Sequence, residues 1–311
     1  MQWTELSINT TDEAVDWVYM LLIDADYTGD IGITPYNATD ENSSPWTFTI
    51  RLYLDNKIHI NQQIDKIAQL LTPLQRTGMA SELEIAVVES KPITNTNVFR
   101  HRIGNRFLIL PANVTNETTS PDDIIIKLKP SLAFGSGLHP ATILSLKLIE
   151  KYVTPGTDAL DLGCGSGILS IAIAKLGASV LGLDNDAIAV QSTQSAVHLN
   201  GVEQQVTVMA GSLGNGSTLG HWMGGETTEK VQAIDNQQKF DLIVANIFAR
   251  IHIALAKDYQ QALDENGILI AAGFTNDYEE SITTTMTEHG FTVIDRERLN
   301  EWVGIALRVS K

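Results

Sequence analysis

The sequence predicts an α/β chain in two parts, a smaller α+β domain followed by a larger domain with a mostly parallel sheet. Three observations predict it. A length of 311 residues exceeds what one core usually holds. From about Ile124 onward, apolar runs of strand length alternate with runs of helical periodicity, and that alternation implies a parallel sheet covered on both faces. The earlier part instead runs strand, helix, strand, strand, helix, strand, which is a ferredoxin-like pattern.

In the first part, residues 3–10 read as a strand, and Asp12 can cap a helix whose apolar positions Val15, Val18, Tyr19 and Leu22 recur at helical spacing. A Gly-containing turn leads to Ile31-Gly32-Ile33, and an Asn-, Asp- and Ser-rich loop runs from Asn37 to Pro45. Residues 46–54 alternate apolar and polar side chains, as a half-buried strand does. Ile60, Ile64, Ile67, Leu70 and Leu71 mark a second helix, and Leu83, Ile85 and Val87 a last strand. This part, residues 1–90, carries no catalytic motif. Residues 91–123 are rich in Asn and Thr with one strand-like run, 106–110, and read as an interdomain linker. In the second domain, 124–311, the expected strands are Asp158–Leu162, 179–183, 206–209, 240–245, 267–272, 291–297 and Trp302–Val309. Too few residues separate the last two for a parallel crossover, so the final strand is expected to run antiparallel.

Composition narrows the function. Apolar residues make up 43% and charged residues 19%, enough to build a core. The net charge of −16 would repel phosphates, so neither nucleic acid nor an anionic membrane is an expected partner. It suits a basic protein, although simple solubility explains it as well. A lone cysteine, Cys164, excludes an intrachain disulfide, and no basic segment precedes an apolar one at the start, so the expectation is a cytoplasmic protein. The histidines are scattered and give no metal-ligand pattern.

Four segments carry chemistry. Asp161-Leu162-Gly163-Cys164-Gly165-Ser166-Gly167 follows a strand and opens the helix Ile168–Lys175. Glycines permit the tight turn and let a ligand approach the backbone, while the helix start leaves N–H groups free. The spacing is G-x-G-x-G, which is neither the dinucleotide fingerprint nor a P-loop, and a plain strand-to-helix turn is the alternative. Asp184 ends the next strand, where a carboxylate can accept from both ribose hydroxyls of an adenosine ligand; its alternative is a helix cap, a task Asp186 is better placed to fill. Asn246 ends the fourth strand, where its amide can accept from a target amine or, alternatively, cap the next helix. The fourth segment, Leu132 to Thr142, is a glycine-rich loop entering a helix; its His139 reads first as structural and second as a base.

Together these segments resemble the ribosomal protein L11 methyltransferase family. The likeness lies in FGSGLHPAT from Phe134, DLGCGSGILSIA from Asp161, GLDND from Gly182, Gly211-Ser212-Leu213, FDLIVANIFA from Phe240 and the closing Glu301-Trp302-Val303, with Arg102 to Phe107 upstream. The resemblance implies a Rossmann-like seven-stranded methyltransferase sheet behind a ferredoxin-like substrate-recognition domain. It implies S-adenosylmethionine as cofactor, contacted by Phe134, Gly135, Thr142, Asp161, Gly163, Gly165, Gly167, Asp184, Ser212 and Asn246. Asn246 would be the catalytic residue, beside the accepting amine. The implied partner is ribosomal protein L11, methylated on lysine side chains or its N-terminal amine. The chain departs from the family pattern at Ser136 and Ala141, where Thr is usual, in having no Trp within 89–101, and in a longer 214–239 segment. Two other functions stay open: a methyltransferase acting on a small molecule or another protein, and a non-catalytic module that binds cofactor or partner.

Overall fold

The computed structural model describes residues 2–25, 27, 29, 31–37, 44–55, 60–90, 101–112, 120–129, 135–214, 233–234 and 239–310. The chain divides into two compact units, one of residues 1–101 with 110–117 and 129–134, the other of 102–109, 118–128 and 135–311.

The first unit contains β1 (Trp3–Thr10), α1 (Val15–Asp24), β2 (Ile31–Pro35), β3 (Phe48–Asp55), α2 (Ile60–Arg76) and β4 (Glu84–Val88). The strands form an antiparallel sheet in the order β2-β3-β1-β4. Register explains the alternation in the sequence. Leu6 faces Leu52 and Ile8 faces Ile50 across the β1–β3 ladder, so all four lie on one face, and all are fully buried. Val15, Val18 and Leu22 of α1 and Ile67 and Leu71 of α2 are buried as well. At the start of α1, Thr11 Oγ1 accepts from the Ala14 N–H at 3.2 Å, while Asp12, the expected cap, accepts from the neighbouring Glu13 N–H.

The second unit is built on a seven-stranded sheet of β8 (Asp158–Leu162), β9 (Ser179–Asp184), β10 (Val206–Ala210), β11 (Phe240–Asn246), β12 (Leu263–Thr275), β13 (Phe291–Leu299) and β14 (Trp302–Val309). Their order is β10-β9-β8-β11-β12-β14-β13. Strands β8 to β12 pair in parallel, and β14 runs antiparallel to both its neighbours, as the short final connection requires. Helices α3 (Pro140–Tyr152), α4 (Ile168–Lys175), α5 (Ala187–Asn200), α6 (Ala249–Ala262) and α7 (Asn276–Glu288) join them. Two apolar clusters form. One holds Leu148, Ile171, Ile173, Val180 and Val244; the other holds Leu160, Ile243, Tyr259, Leu269 and Ile305. Alternate residues of β11, Val244 and Ile243, fall in different clusters, as expected of a sheet buried on both faces.

Of the stretch read as a linker, 102–109 and 118–123 fall in this unit and the rest in the first. β5 (His101–Ile103), β6 (Phe107–Pro111) and β7 (Ile124–Leu128) form a three-stranded sheet. Ile103, Phe107, Ile109 and Ile126 belong to the first of the two clusters. Asn200 at the end of α5 ties β7 down by accepting from the Lys127 N–H and donating to its carbonyl. Of the three the pattern predicts only β6, although β7 is of equal length; β5, with three residues, is too short to show a period. Within the 214–239 segment, only Gly214, Ala233, Ile234 and Lys239 are among the described residues.

Candidate active site

Strand order reverses between β8 and β11. β9 and β10 lie to one side of β8, and β12 lies beyond β11. The loops leaving the carboxyl ends of these two strands diverge there and leave a crevice, which is where open α/β sheets bind ligands. The sequence places its two most informative segments there. Ala245 pairs with Leu162, so Asn246 and Gly163 leave the sheet side by side.

Gly163 adopts φ +79°, and a Cβ on it would lie 2.7 Å from Ile247 Cγ2, so a side chain there would strain the backbone and force Ile247 to shift. Gly167 caps α4 in the left-handed region at φ +85°, and a Cβ there would press on Thr193 at 3.0 Å. The loop between them is pinned from outside. Thr193 Oγ1 donates to the Gly165 carbonyl at 2.8 Å, and Ser166 Oγ donates to the Gly135 carbonyl at 2.6 Å. The second bond fastens the 135–139 loop to the glycine loop, so the two glycine-rich segments form one cradle. Phe134 lies outside the described residues.

Asp184 closes the cradle from β9. Its Oδ2 accepts from the Gly165 N–H and its Oδ1 from the Asp186 N–H, both at 3.0 Å. Each carboxylate oxygen keeps a further lone pair for a ligand hydroxyl. Burial pushes its pKa up, against the lowering effect of those N–H bonds. The helix-capping task falls to Asp186, whose Oδ1 accepts from the Ile188 N–H at the start of α5.

Asp161 is wholly buried. Ser170 Oγ donates to its Oδ2 at 2.5 Å, while Oδ1 has no hydrogen-bond partner among the described residues. Desolvation pushes its pKa up to about 7, only partly offset by the Ser170 bond, with the Asp184 charge adding to the rise. A carboxyl whose folded pKa lies above its unfolded value gives up stability as pH rises from about 4 through about 7. Asp161→Asn, which keeps an acceptor for Ser170, should therefore become progressively more stable than the parent over that window. The gain at pH 8 is expected to reach roughly 2–4 kcal/mol for the ligand-free protein. Denaturant melts at pH 4 to 8 check this; a difference that does not grow with pH would mean that Asp161 ionises freely.

Asn246 is half-buried and does not cap α6, whose N-cap is Phe248. Its Nδ2 donates to Thr142 Oγ1 at 3.3 Å. Thr142 is fully buried in the first turn of α3. This bond engages the amide nitrogen, and Oδ1 has no hydrogen-bond partner among the described residues. Behind it, His252 of α6 bonds through Nε2 to the Ala272 carbonyl at 2.9 Å, which also receives the Ile247 N–H, and through Nδ1 to Tyr259 Oη. Burial lowers the His252 pKa to about 4.

His139 is structural. Its Nδ1 accepts from the Ala141 N–H as the cap of α3, its ring meets Trp302 edge-on at 4.4 Å, and burial lowers its pKa to about 4. Such a group is a poor base at neutral pH. Ser212, after β10, is buried, and its Oγ has no hydrogen-bond partner among the described residues. Ser166, Ser170, Thr193 and His252 were not singled out in the sequence. Their contacts join different elements of the fold or buried side chains of one helix, which no local spacing signals.

The orphaned Oδ1 of Asp161, the orphaned Oγ of Ser212 and the glycine cradle fit an adenosine ligand that carries an amino group. Fold and site together define a methyltransferase of the Rossmann-like α/β type. Comparison with known proteins narrows the class. The family described as "Ribosomal protein L11 methyltransferase (PrmA)" matches residues 2–310. The ribosomal protein L11 methyltransferase of Herpetosiphon aurantiacus is 34% identical, with 99% of each chain covered. That of Chloroflexus aurantiacus is 35% identical, with 98% of each covered. The crystal structure of ribosomal protein L11 methylase from Lactobacillus delbrueckii subsp. bulgaricus superposes with a TM-score of 0.58 at 30% identity, covering 68% of this chain and 99% of that one. The chain belongs to the ribosomal protein L11 methyltransferase family.

Proposed function

We propose that this enzyme uses S-adenosylmethionine to methylate amino groups of ribosomal protein L11, on lysine side chains, the N-terminal amine or both, in the cytoplasm. The observation that carries this reading is the Asn246 amide, fixed by Thr142 beside the glycine loop with its oxygen free. When bound, S-adenosylmethionine supplies a methyl group already activated on a sulfonium. Asp184, Gly163, Gly165, Gly167, Gly135, Ser212 and Asp161 would hold it, Asp161 facing its amino group and Asp184 its ribose. The chain's own task is then proximity and orientation.

A lysine amine has a reference pKa near 10.4 and must lose a proton before it can act as a nucleophile. Asn246 Oδ1 accepts one N–H of the neutral amine and so aims its lone pair, without adding a charge that would keep the amine protonated. His139 and His252 are buried and committed to structural bonds, so the proton leaves to solvent. Residues 1–90, which bear no catalytic motif, would serve substrate recognition. No helix among the described residues is long and apolar enough to cross a membrane.

The reading is tested by incubating the protein with isotopically labelled S-adenosylmethionine and the ribosomal proteins of its host, then locating label by mass spectrometry. Label is expected on amines of L11. An unlabelled L11 beside a labelled small amine or other protein would overturn the substrate assignment.

A further inference from the structure

The first unit's sheet ends in a strand unlike its other edge. β2 buries Ile33 and finishes on Pro35. Among the described residues β4 pairs with β1 alone, and four of its five residues are exposed. Ile85 stands opposite Leu6 and Val87 opposite Thr4, so both lie on the face whose β1 and β3 side chains are buried. Yet Ile85 is 55% and Val87 64% exposed, whereas Leu6 is 0%. Among the described residues, the apolar face thus runs past its cover to an edge that no other strand pairs. Edge strands are commonly blunted by lysine or proline, and β4 has neither. It is bordered instead by the exposed carboxylates Glu82, Glu84 and Glu89.

Charge indicates what fits there. Residues 1–90 hold fourteen Asp and Glu against four Lys and Arg, a net −10 out of the chain's −16. We propose that the free edge of β4 docks an extended, basic segment of the methyl-accepting protein as an added strand. Main-chain pairing would supply register, Ile85 and Val87 would receive apolar side chains, and the three glutamates would face Lys or Arg. A second copy of this chain is the disfavoured occupant, because pairing β4 with β4 would set those glutamates against their own kind. The proposal rests on the reading that the substrate is a basic ribosomal protein.

The test uses the full-length enzyme with L11. Ile85→Lys/Val87→Lys replaces two exposed side chains, so folding and cofactor affinity should survive. KM for L11 should rise at least about tenfold, a loss of about 1.4 kcal/mol, with kcat little changed. Glu82→Gln/Glu84→Gln/Glu89→Gln should raise KM less and flatten its dependence on salt. Normal L11 methylation with unchanged KM in both variants would overturn the docking site and leave the function standing. A parent enzyme that cannot methylate L11 would overturn both. A parent dimer that the Lys variant dissociates would assign the edge to a second copy and overturn the proposal.

Discussion

Replacing Asn246 with alanine is expected to slow methyl transfer about a hundredfold while changing cofactor affinity by no more than about threefold. The size follows from orientation: misplacing a reacting group by about 1 Å can cost about a hundredfold when positioning supplies most of the catalysis. The selectivity follows from geometry. The cofactor's ribose and amino group are assigned to Asp184 and Asp161, which keep their own partners whatever stands at 246. Single-turnover methylation of L11 and calorimetric titration of the cofactor separate the two quantities. Thr142→Val removes the acceptor of Asn246 Nδ2 and lets the amide turn over, so a smaller loss of about tenfold is expected. Asn246→Asp should hold a protonated lysine more firmly yet transfer methyl more slowly, with the deficit shrinking as pH rises. Equal losses of rate and cofactor affinity in Asn246→Ala would make Asn246 a cofactor ligand alone.

Asp184→Ala is expected to weaken cofactor binding by roughly 1.5–3 kcal/mol, about ten- to 150-fold. Two contributions add. The ribose loses a charged acceptor, and the N–H groups of Gly165 and Asp186 lose theirs. The second acts without ligand, because it loosens the join between the glycine loop and the start of α5, so the ligand-free protein should also melt earlier. Asp184→Asn separates them. Its single carbonyl oxygen can serve the Gly165 N–H, so melting should recover more than affinity does. Calorimetry that finds unchanged affinity in Asp184→Ala would remove this residue from the site.

What the sequence by itself determined was whatever short-range physics dictates. Alternation of strands with helical periods gave the parallel sheet, and the few residues between β13 and β14 gave the reversed final strand. The glycine loop was legible because positive φ values restrict residue type locally. The places of Asp184 and Asn246 were legible because both end parallel strands, whose carboxyl ends lie on one edge of such a sheet. Asp186 was legible as the cap of α5 because capping acts within one turn.

Tertiary structure alone decided the rest. Nothing in the spacing says that Ser170 bonds Asp161, that Thr142 receives the amide of Asn246 from 104 residues away, or that His252 props the β11–β12 ends. Nor does it say that Ile103, Phe107 and Ile126 join the larger unit's core. Side-chain hydrogen bonds and packing of that kind depend on which elements the fold brings together. Burial does too: the raised pKa of Asp161 and the lowered pKa of His139 come from desolvation, a property of everything around a residue rather than of its neighbours in the chain.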